Sequence, residues 1–323
     1  NEYVVYTPQS LIYRTVLSGF ENIINETKDF NNQTSAITKS VFYGNNLIPI
    51  KDESYVDNIN NYVSAVKFEL ASANNRNIAL DWEGLIKTIY NNQNFGEELK
   101  KTNYYEDQLN LLVESNKSDY DKAKSVYNFI QKEFTWNNER GVLCKQGVKK
   151  AFKEKKGNVA EINLILVSML RKLGLSANPL ILSTKANGIS IFPNKSSFDY
   201  VICALKIDDT YYFLDGSNKN AYFNIIPIKT MNWVGKIIKE NGTFEDVELF
   251  NFPKSFQKTS VLAELDNEGK IKGMQRKQSN DFNAFLFREK FKNVSKESIL
   301  EHYVKQYKVN VNDYEVKDLY ENE

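Results

Sequence analysis

The sequence predicts an α+β fold in which one buried helix packs on an antiparallel sheet, with β-rich segments on either side. The helix, predicted over 158–173, is apolar on nearly every side, so neighbouring elements must enclose it. Strand patterns follow it closely at 178–183, 198–207 and 210–215, and Asp208-Asp209 predicts a hairpin turn between the last two. Alternating apolar residues near both ends of the chain predict further strands outside this central unit.

The first region, residues 1–75, is predicted to be β-rich. Alternation at Tyr3 and Val5, turn residues at 44–46 and the alternating run 61–70 indicate strands. Because the chain opens directly on a strand pattern, we expect the C-terminal part of an N-terminal β-rich domain. This region therefore says nothing about a signal peptide or a lipid anchor.

The central region, residues 76–250, contains the helices and the antiparallel sheet. Helical spacing starts after Asp81, and a second amphipathic helix is predicted over 118–134 with Ser118 as its cap. At the buried helix, Asn158 followed three residues later by Glu161 is a capping-box pattern. We therefore expect this helix to begin at a well-defined residue.

The third region, residues 251–323, returns to strand patterns. A strand at 260–265 is followed by turn residues at 266–270, and alternating aromatic residues over 282–291 continue the pattern. A helix is expected near 295–306. The sequence predicts a β-rich C-terminal domain that is incomplete.

Composition and charge exclude several classes of partner. The 42 basic and 41 acidic side chains give a net charge of +1, so no overall field attracts nucleic acid. No apolar run reaches the ~18 residues that a membrane-spanning helix needs. We expect a chain of several domains that binds no nucleic acid and has no transmembrane segment.

Metal and cofactor chemistry have few side chains available. His302 is the only histidine, which removes the usual general base and most metal sites. Cys203 alternates with apolar residues of a predicted strand, and Cys144 lies in a loop-like segment without a nearby histidine. We predict no metal, no cofactor and no catalytic role for either cysteine.

The central order of motifs resembles the transglutaminase-like superfamily, which shares a papain-like core. The resemblance rests on Gly157-Asn158-Val159-Ala160-Glu161 at the head of the buried helix, Phe198-Asp199-Tyr200-Val201-Ile202 on a strand, and Leu214-Asp215-Gly216 at the end of the next strand. It is closest to bacterial proteins in which this core lies between N- and C-terminal β domains of unknown function. The resemblance implies a papain/transglutaminase-like core and a periplasmic or cell-envelope location.

Carried over residue by residue, the resemblance places the catalytic cysteine at Val159, the histidine at Tyr200 and the aspartate at Asp215. In active members the helix dipole stabilises a thiolate, histidine takes its proton and aspartate orients the histidine. Valine has no nucleophilic atom, and a tyrosine with its usual pKa of ~10 is a poor base at neutral pH. We therefore predict that the chain is not an enzyme and that its triad is degenerate.

The residues around this degenerate triad are also ligand-binding candidates: Trp136, Asn158, Glu161, Tyr200 and Asp215. Each has a structural interpretation as well. Asn158 and Glu161 can simply cap the helix, Asp215 can be a turn residue that accepts the Tyr200 hydroxyl, and Trp136 can belong to the core.

Three functions remain open on the sequence. The first is a pseudoenzyme whose former cleft binds a peptide or glycan or only supports the fold. The second is a peptidase or glycan-active hydrolase with non-cysteine chemistry, in which Glu161 and Asp215 act as a carboxylate pair. The third is a structural role in an envelope assembly, with the β domains making the contacts to an envelope protein. Ligand identity, the openness of the cleft and the oligomeric state are not determined by the sequence.

Overall fold

The computed structural model describes most of the chain. It covers residues 2–319 except 32–35, 52, 55, 57, 75, 78–80, 114–117, 195 and 251–253. The domain boundaries predicted at 75–76 and 250–251 border residues 75 and 251–253, which lie outside the described residues.

The N-terminal region forms two three-stranded antiparallel sheets. Its strands are β1 (Glu2–Pro8), β2 (Leu11–Ser18), β3 (Ile24–Asn31), β4 (Ala36–Tyr43), β5 (Ala65–Ala73) and β6 (Arg76–Asn77). The strand orders are β1-β4-β3 and β2-β5-β6. Phe42 of β4 is buried and packs edge-on against Phe68 of β5, with ring centroids 5.4 Å apart. The strands predicted at Tyr3–Val5 and within 61–70 are confirmed.

Six helices and two short parallel strands precede the central sheet. They are α1 (Trp82–Tyr90), α2 (Gly96–Leu99), α3 (Glu106–Leu112), α4 (Asp119–Glu133), β7 (Thr135–Trp136), α5 (Val148–Glu154), β8 (Lys156–Gly157) and α6 (Val159–Lys172). The side chains of Asp81 and Ser118 accept backbone N–H bonds at the starts of α1 and α4. The helix predicted over 118–134 with a Ser118 cap is thus confirmed.

Helix α6 is the buried central helix that the sequence predicts. Every residue from Val159 to Leu170 is buried, and both bonds of the predicted capping box between Asn158 and Glu161 are present. The helix ends before Gly174, which has the positive φ of +79° that favours glycine. Burial of its apolar side chains on all sides fixes α6 as the centre of the core.

The central sheet covers α6 on one side. It contains β9 (Ser176–Leu182), β10 (Tyr200–Ile207), β11 (Thr210–Leu214), β12 (Val234–Ile238) and β13 (Phe244–Glu248), in the order β11-β10-β9-β12-β13, with every pairing antiparallel. The predicted turn between β10 and β11 is formed at 208–209, with Asp208 at φ +52°. Consequently Tyr200 begins β10 where β11 ends, which is where Asp215 follows.

The C-terminal region is a hairpin followed by two helices. Its elements are β14 (Gln257–Leu265), β15 (Ile271–Ser279), α7 (Asp281–Phe291) and α8 (Lys296–Tyr307). The helix expected near 295–306 is confirmed. The strand pattern predicted over 282–291 is wrong, because these residues form α7. Their aromatic residues also recur at three- and four-residue spacing, which brings Phe282 onto Phe285 and Phe287 onto Phe291.

Candidate functional site

The fold brings the three predicted triad positions together. Val159 is the first residue of α6, Tyr200 is the first residue of β10 and Asp215 directly follows β11. The side-chain amide nitrogen of Asn163 lies 3.2 Å from the Val159 carbonyl oxygen, 3.1 Å from that of Val201 and 3.1 Å from Asp215 Oδ1. One buried amide therefore links the helix start, the strand and the carboxylate.

The Asp215 carboxylate is surrounded by hydrogen-bond donors. Its Oδ1 accepts the backbone N–H of Ser217 at 2.9 Å, the Ser217 hydroxyl at 2.6 Å and the Asn163 amide. Its Oδ2 accepts the Tyr200 hydroxyl at 2.9 Å. A carboxylate offers about four acceptor positions, so this residue is saturated by the protein itself.

The Tyr200 hydroxyl donates a hydrogen bond to Asp215. The side chain has no exposed surface, and burial followed by the charge of Asp215 raises its pKa well above the usual value. A general base must be in its deprotonated form at the working pH so that it can accept a proton. A hydroxyl with a raised pKa stays protonated there and cannot do so. At the position predicted for the base, Tyr200 is therefore a hydrogen-bond donor.

Glu161 is turned back onto the backbone around it. One oxygen accepts the N–H of Asn158 at 2.8 Å, and the other accepts the N–H groups of Lys145, Gln146 and Gly147 at 2.8, 2.6 and 3.1 Å. The side chain is fully buried. The hypothesis that Glu161 and Asp215 act as a catalytic carboxylate pair is wrong, because Glu161 is the helix cap and also anchors the 145–147 loop.

The two remaining candidates also bond within the chain. The Asn158 amide donates to the Leu143 carbonyl oxygen at 2.9 Å, and the residue has no exposed surface. Trp136 is half-buried and its indole N–H donates to the Glu139 carbonyl oxygen at 2.8 Å. Val159 is covered from this side, since its N–H donates to the same carbonyl at 3.2 Å. Of the five candidates, only Trp136 has access to solvent.

A lysine that the sequence did not point to lies at the outer face of the site. The Lys229 ammonium is 4.6 Å from the ring centroid of Trp136 and 5.0 Å from that of Tyr200. Burial lowers its pKa, while the negative charge of Asp215 acts in the opposite direction. Cation–π contacts of this kind stabilise a partly desolvated ammonium. Lys229 thus covers the Tyr200 ring with a side chain from the short 3-10 helix Ile228–Thr230.

Both cysteines lie away from the Asp215 hydrogen bonds. Cys203 is buried within β10, and burial raises the pKa of its thiol. Cys144 is buried on the Glu161 side of α6, where burial and the charges of Glu161 and Glu98 raise the pKa of its thiol. Reactive cysteines have a lowered pKa and are accessible, so the environment of each thiol suppresses nucleophilic reactivity.

Sequence reasoning missed Asn163, Ser217 and Lys229. Asn163 carries a readable signal, since it is polar inside an apolar helix and one turn after Val159. Ser217 and Lys229 carry none, because nothing in their local sequence indicates which carboxylate or ring they will meet. Among the described residues, no group of three or more His, Cys, Asp and Glu side chains is placed to hold a metal ion.

The comparison with protein families decides the kind of core. Residues 107–201, which include Val159 and Tyr200, match the family described as the transglutaminase-like superfamily. Over residues 107–201 the core of this chain is similar to that family. The match agrees with the resemblance that Gly157–Glu161 and Phe198–Ile202 carry in the sequence. No curated protein matches this chain.

Three solved structures are similar to this chain at low identity. A proposed protease from Parabacteroides distasonis has 12% identity and a TM-score of 0.49, with 77% of this chain and 44% of that chain covered. A proposed cysteine protease from Cytophaga hutchinsonii has 10% identity and a TM-score of 0.30, with 87% and 88% covered. A TGase has 10% identity and a TM-score of 0.24, with 64% and 51% covered. The chain thus spans less than half the length of the first of these structures.

No helix within the described residues is long and apolar enough to cross a membrane.

Proposed function

We propose that this chain is a non-catalytic transglutaminase-like protein whose core is a scaffold. The nucleophile position is occupied by Val159, which has no atom able to attack a carbonyl carbon. The base position is occupied by Tyr200, whose hydroxyl keeps its proton and donates a hydrogen bond to Asp215. Both chemical roles of a thiol–imidazole pair are therefore unfilled.

One observation carries the choice of scaffold over cleft binding. Val159, Tyr200 and Asp215 each have 0% exposure, so side chains and backbone fill the place where a substrate would meet the nucleophile. A ligand could reach these groups only after Lys229 and the 137–140 segment had moved. The polar groups of the old site are instead used in hydrogen bonds that join α6 to the sheet.

The alternative of a hydrolase with non-cysteine chemistry has little support in the geometry. Among the described residues, Ser217 is the only one besides Tyr200 whose hydroxyl bonds to the Asp215 carboxylate, and it is almost completely buried. The Ser217 hydroxyl donates to Asp215 Oδ1. Its Oγ lies 3.0 Å from the hydroxyl oxygen of Tyr200, which donates to the same carboxylate. This arrangement stabilises a folded network and presents no free nucleophile.

The proposed contacts are made by the flanking regions. Large apolar side chains are exposed in the N-terminal region, where Phe20 between β2 and β3 is 81% exposed, and in the C-terminal hairpin, where Leu262 is 71% exposed. Exposed apolar residues away from a closed cleft favour an assembly role over cleft binding. We also propose three regions, 1–75, 76–250 and 251–323, from the strand and helix patterns of the sequence, and a periplasmic or cell-envelope location from the sequence resemblance.

The experiment that tests the absence of catalysis is an amide hydrolysis and transamidation assay on the purified full chain. We expect no turnover above that of a heat-denatured sample. Turnover that Asp215→Ala or Tyr200→Phe abolishes, and that Asp209→Ala preserves, would overturn the proposal. Asp209 is the matched control because its carboxylate is fully exposed at the β10–β11 turn.

A further inference from the structure

The hairpin β14–β15 is the least covered part of the described chain. All nine residues of β14 and eight of the nine residues of β15 are exposed. Its apolar side chains are 64–71% exposed and lie on both faces of the hairpin: Val261, Leu262, Leu265, Ile271 and Met274. A two-stranded sheet is at best marginally stable in water, and three or more strands are needed to bury such side chains.

The two free edges of this hairpin differ in charge. Strand β15 carries Lys272, Arg276 and Lys277 and no acidic residue, and cations of this kind protect an edge against pairing with another copy of itself. Strand β14 carries one residue of each sign, Lys258 and Glu264. The unprotected edge is therefore β14.

The charges of β14 are symmetric about its middle residue. Lys258 and Glu264 each lie three positions from Val261. In an antiparallel pairing of two β14 strands centred on Val261, Lys258 of each copy lies opposite Glu264 of the other. Side chains directly opposite each other share a face, so the same register extends the apolar residues of each face across both hairpins.

We propose that β14 is a homotypic interface at which two copies of this chain join their hairpins into a four-stranded antiparallel sheet. The twofold axis passes through the Val261 pair, and two Lys258–Glu264 pairs fix the register. This inference rests on the proposed assembly role and names its partner as a second copy. Its failure would remove that partner and leave the prediction of no turnover untouched, because the two are measured by different assays.

The test is the mass of the full chain in solution as a function of concentration, measured by sedimentation equilibrium. We expect the mass to rise from 37.4 kDa to twice that value. Lys258→Glu places two glutamates opposite each other at both pairs, and Glu264→Lys places two lysines there. Each single variant should weaken the dimer by up to ~30-fold, since opposite and like charges across strands differ by up to ~1 kcal/mol per pair and both pairs change.

The decisive measurement mixes the two variants. A Lys258→Glu chain and a Glu264→Lys chain have complementary charges at both pairs, so the mixture should form a heterodimer as tight as the wild-type dimer. Arg276→Glu, on the other strand, is the matched control and should leave the wild-type dimer intact. Recovery in the mixture also shows that both single variants are folded.

Three outcomes would overturn the proposal. A wild-type chain that stays monomeric with β14 amides already protected from hydrogen exchange would show that the hairpin is covered from within the chain. A wild-type monomer with unprotected β14 amides would show that the edge is free. A dimer that Lys258→Glu leaves unchanged would show that the copies join elsewhere.

Discussion

Around the start of α6, Asn158, Glu161 and Asp215 are polar side chains without exposed surface, whereas in the C-terminal hairpin Val261 and Leu262 are apolar and 64% and 71% exposed. The usual distribution of polar and apolar residues is thus inverted in both places. In the core, every polar group named here has partners within the protein, so burial carries no large desolvation penalty. In the hairpin, the apolar groups have no partner within the described chain.

This contrast indicates where the two regions make their contacts. The carboxylates of this site have no free acceptor position for a substrate, because donors within the protein already occupy them. A bare sheet edge with exposed apolar side chains has unused backbone donors and acceptors. We therefore propose that the residues around the start of α6 serve to hold the helix and the sheet together, and that the outer strands provide the surfaces for assembly.

Removal of the Glu161 carboxylate should have the largest effect on stability. Glu161→Ala leaves four backbone N–H groups without their acceptor, and each buried unpaired donor costs about 1–3 kcal/mol. Because water can enter and satisfy some of them, we expect the free energy of unfolding to fall by about 3–5 kcal/mol. Urea unfolding followed by tryptophan fluorescence measures it.

The control for that change is Glu154→Ala, which removes an exposed carboxylate at the end of α5. It should alter the free energy of unfolding by less than ~0.5 kcal/mol. If Glu161→Ala lowered the free energy of unfolding no more than this control, the hydrogen bonds of the Glu161 carboxylate would not stabilise the core. The contrast between core and hairpin would then be wrong.

Tyr200→Phe should have an intermediate effect. It removes the only donor on Asp215 Oδ2 among the described residues while preserving the ring under Lys229. We expect a loss of about 1–3 kcal/mol, the cost of one unsatisfied buried acceptor. Tyr120→Phe, at a 40% exposed ring in the same domain, is the matched control and should be close to neutral. If Tyr200→Phe left the free energy of unfolding unchanged, the Tyr200 hydroxyl would not stabilise the packing of α6 on the sheet.

The effect of Tyr200→Phe should depend on pH only in the alkaline range. Since the folded-state pKa of Tyr200 is raised, the unfolded chain ionises first, at about pH 10, and stability is lost as pH rises through the folded pKa. The difference in unfolding free energy between wild type and variant should therefore be constant from pH 7 to about 9 and shrink above about 10. Tyr127 is present in both proteins, so its own raised pKa cancels.

Urea titrations of both proteins at several pH values provide this comparison. A difference that instead grows between pH 7 and about 9 would mean that the folded state releases the Tyr200 proton before the unfolded chain does, which places the pKa of the folded hydroxyl near neutrality. That result would restore Tyr200 as a candidate base and contradict the proposed loss of catalysis.

A hairpin substitution should have the smallest effect on the core. Leu262→Thr removes an apolar side chain that is 71% exposed and keeps a residue suited to a strand. We expect the unfolding free energy of the core to change by less than ~0.5 kcal/mol, against about 2–5 kcal/mol for a buried leucine. Fluorescence from Trp82 and Trp136 reports the core transition. A loss above about 2 kcal/mol would show that the hairpin packs on the core.

Local patterns account for the parts that were predicted correctly. Helix α6 is identified by its apolar residues, its start by the Asn158–Glu161 box and its end by Gly174, all within a short window. Strands β10 and β11 and their turn follow from alternation and from Asp208-Asp209. The error over 282–291 has the same origin, since clustered aromatic residues satisfy strand and helix spacing at once.

The sequence by itself determined the α+β order of elements, and its resemblance to a known family predicted that Val159, Tyr200 and Asp215 occupy the three triad positions. Only the tertiary structure decided that Asp215 and Glu161 are saturated, that Lys229 covers Tyr200 and that the hairpin is bare. The physical reason is the range of the interactions. Caps and periodicity act over a few residues, whereas the Asn163–Asp215 bond joins positions 52 apart, and such partners are fixed only when the helix and the sheet pack together.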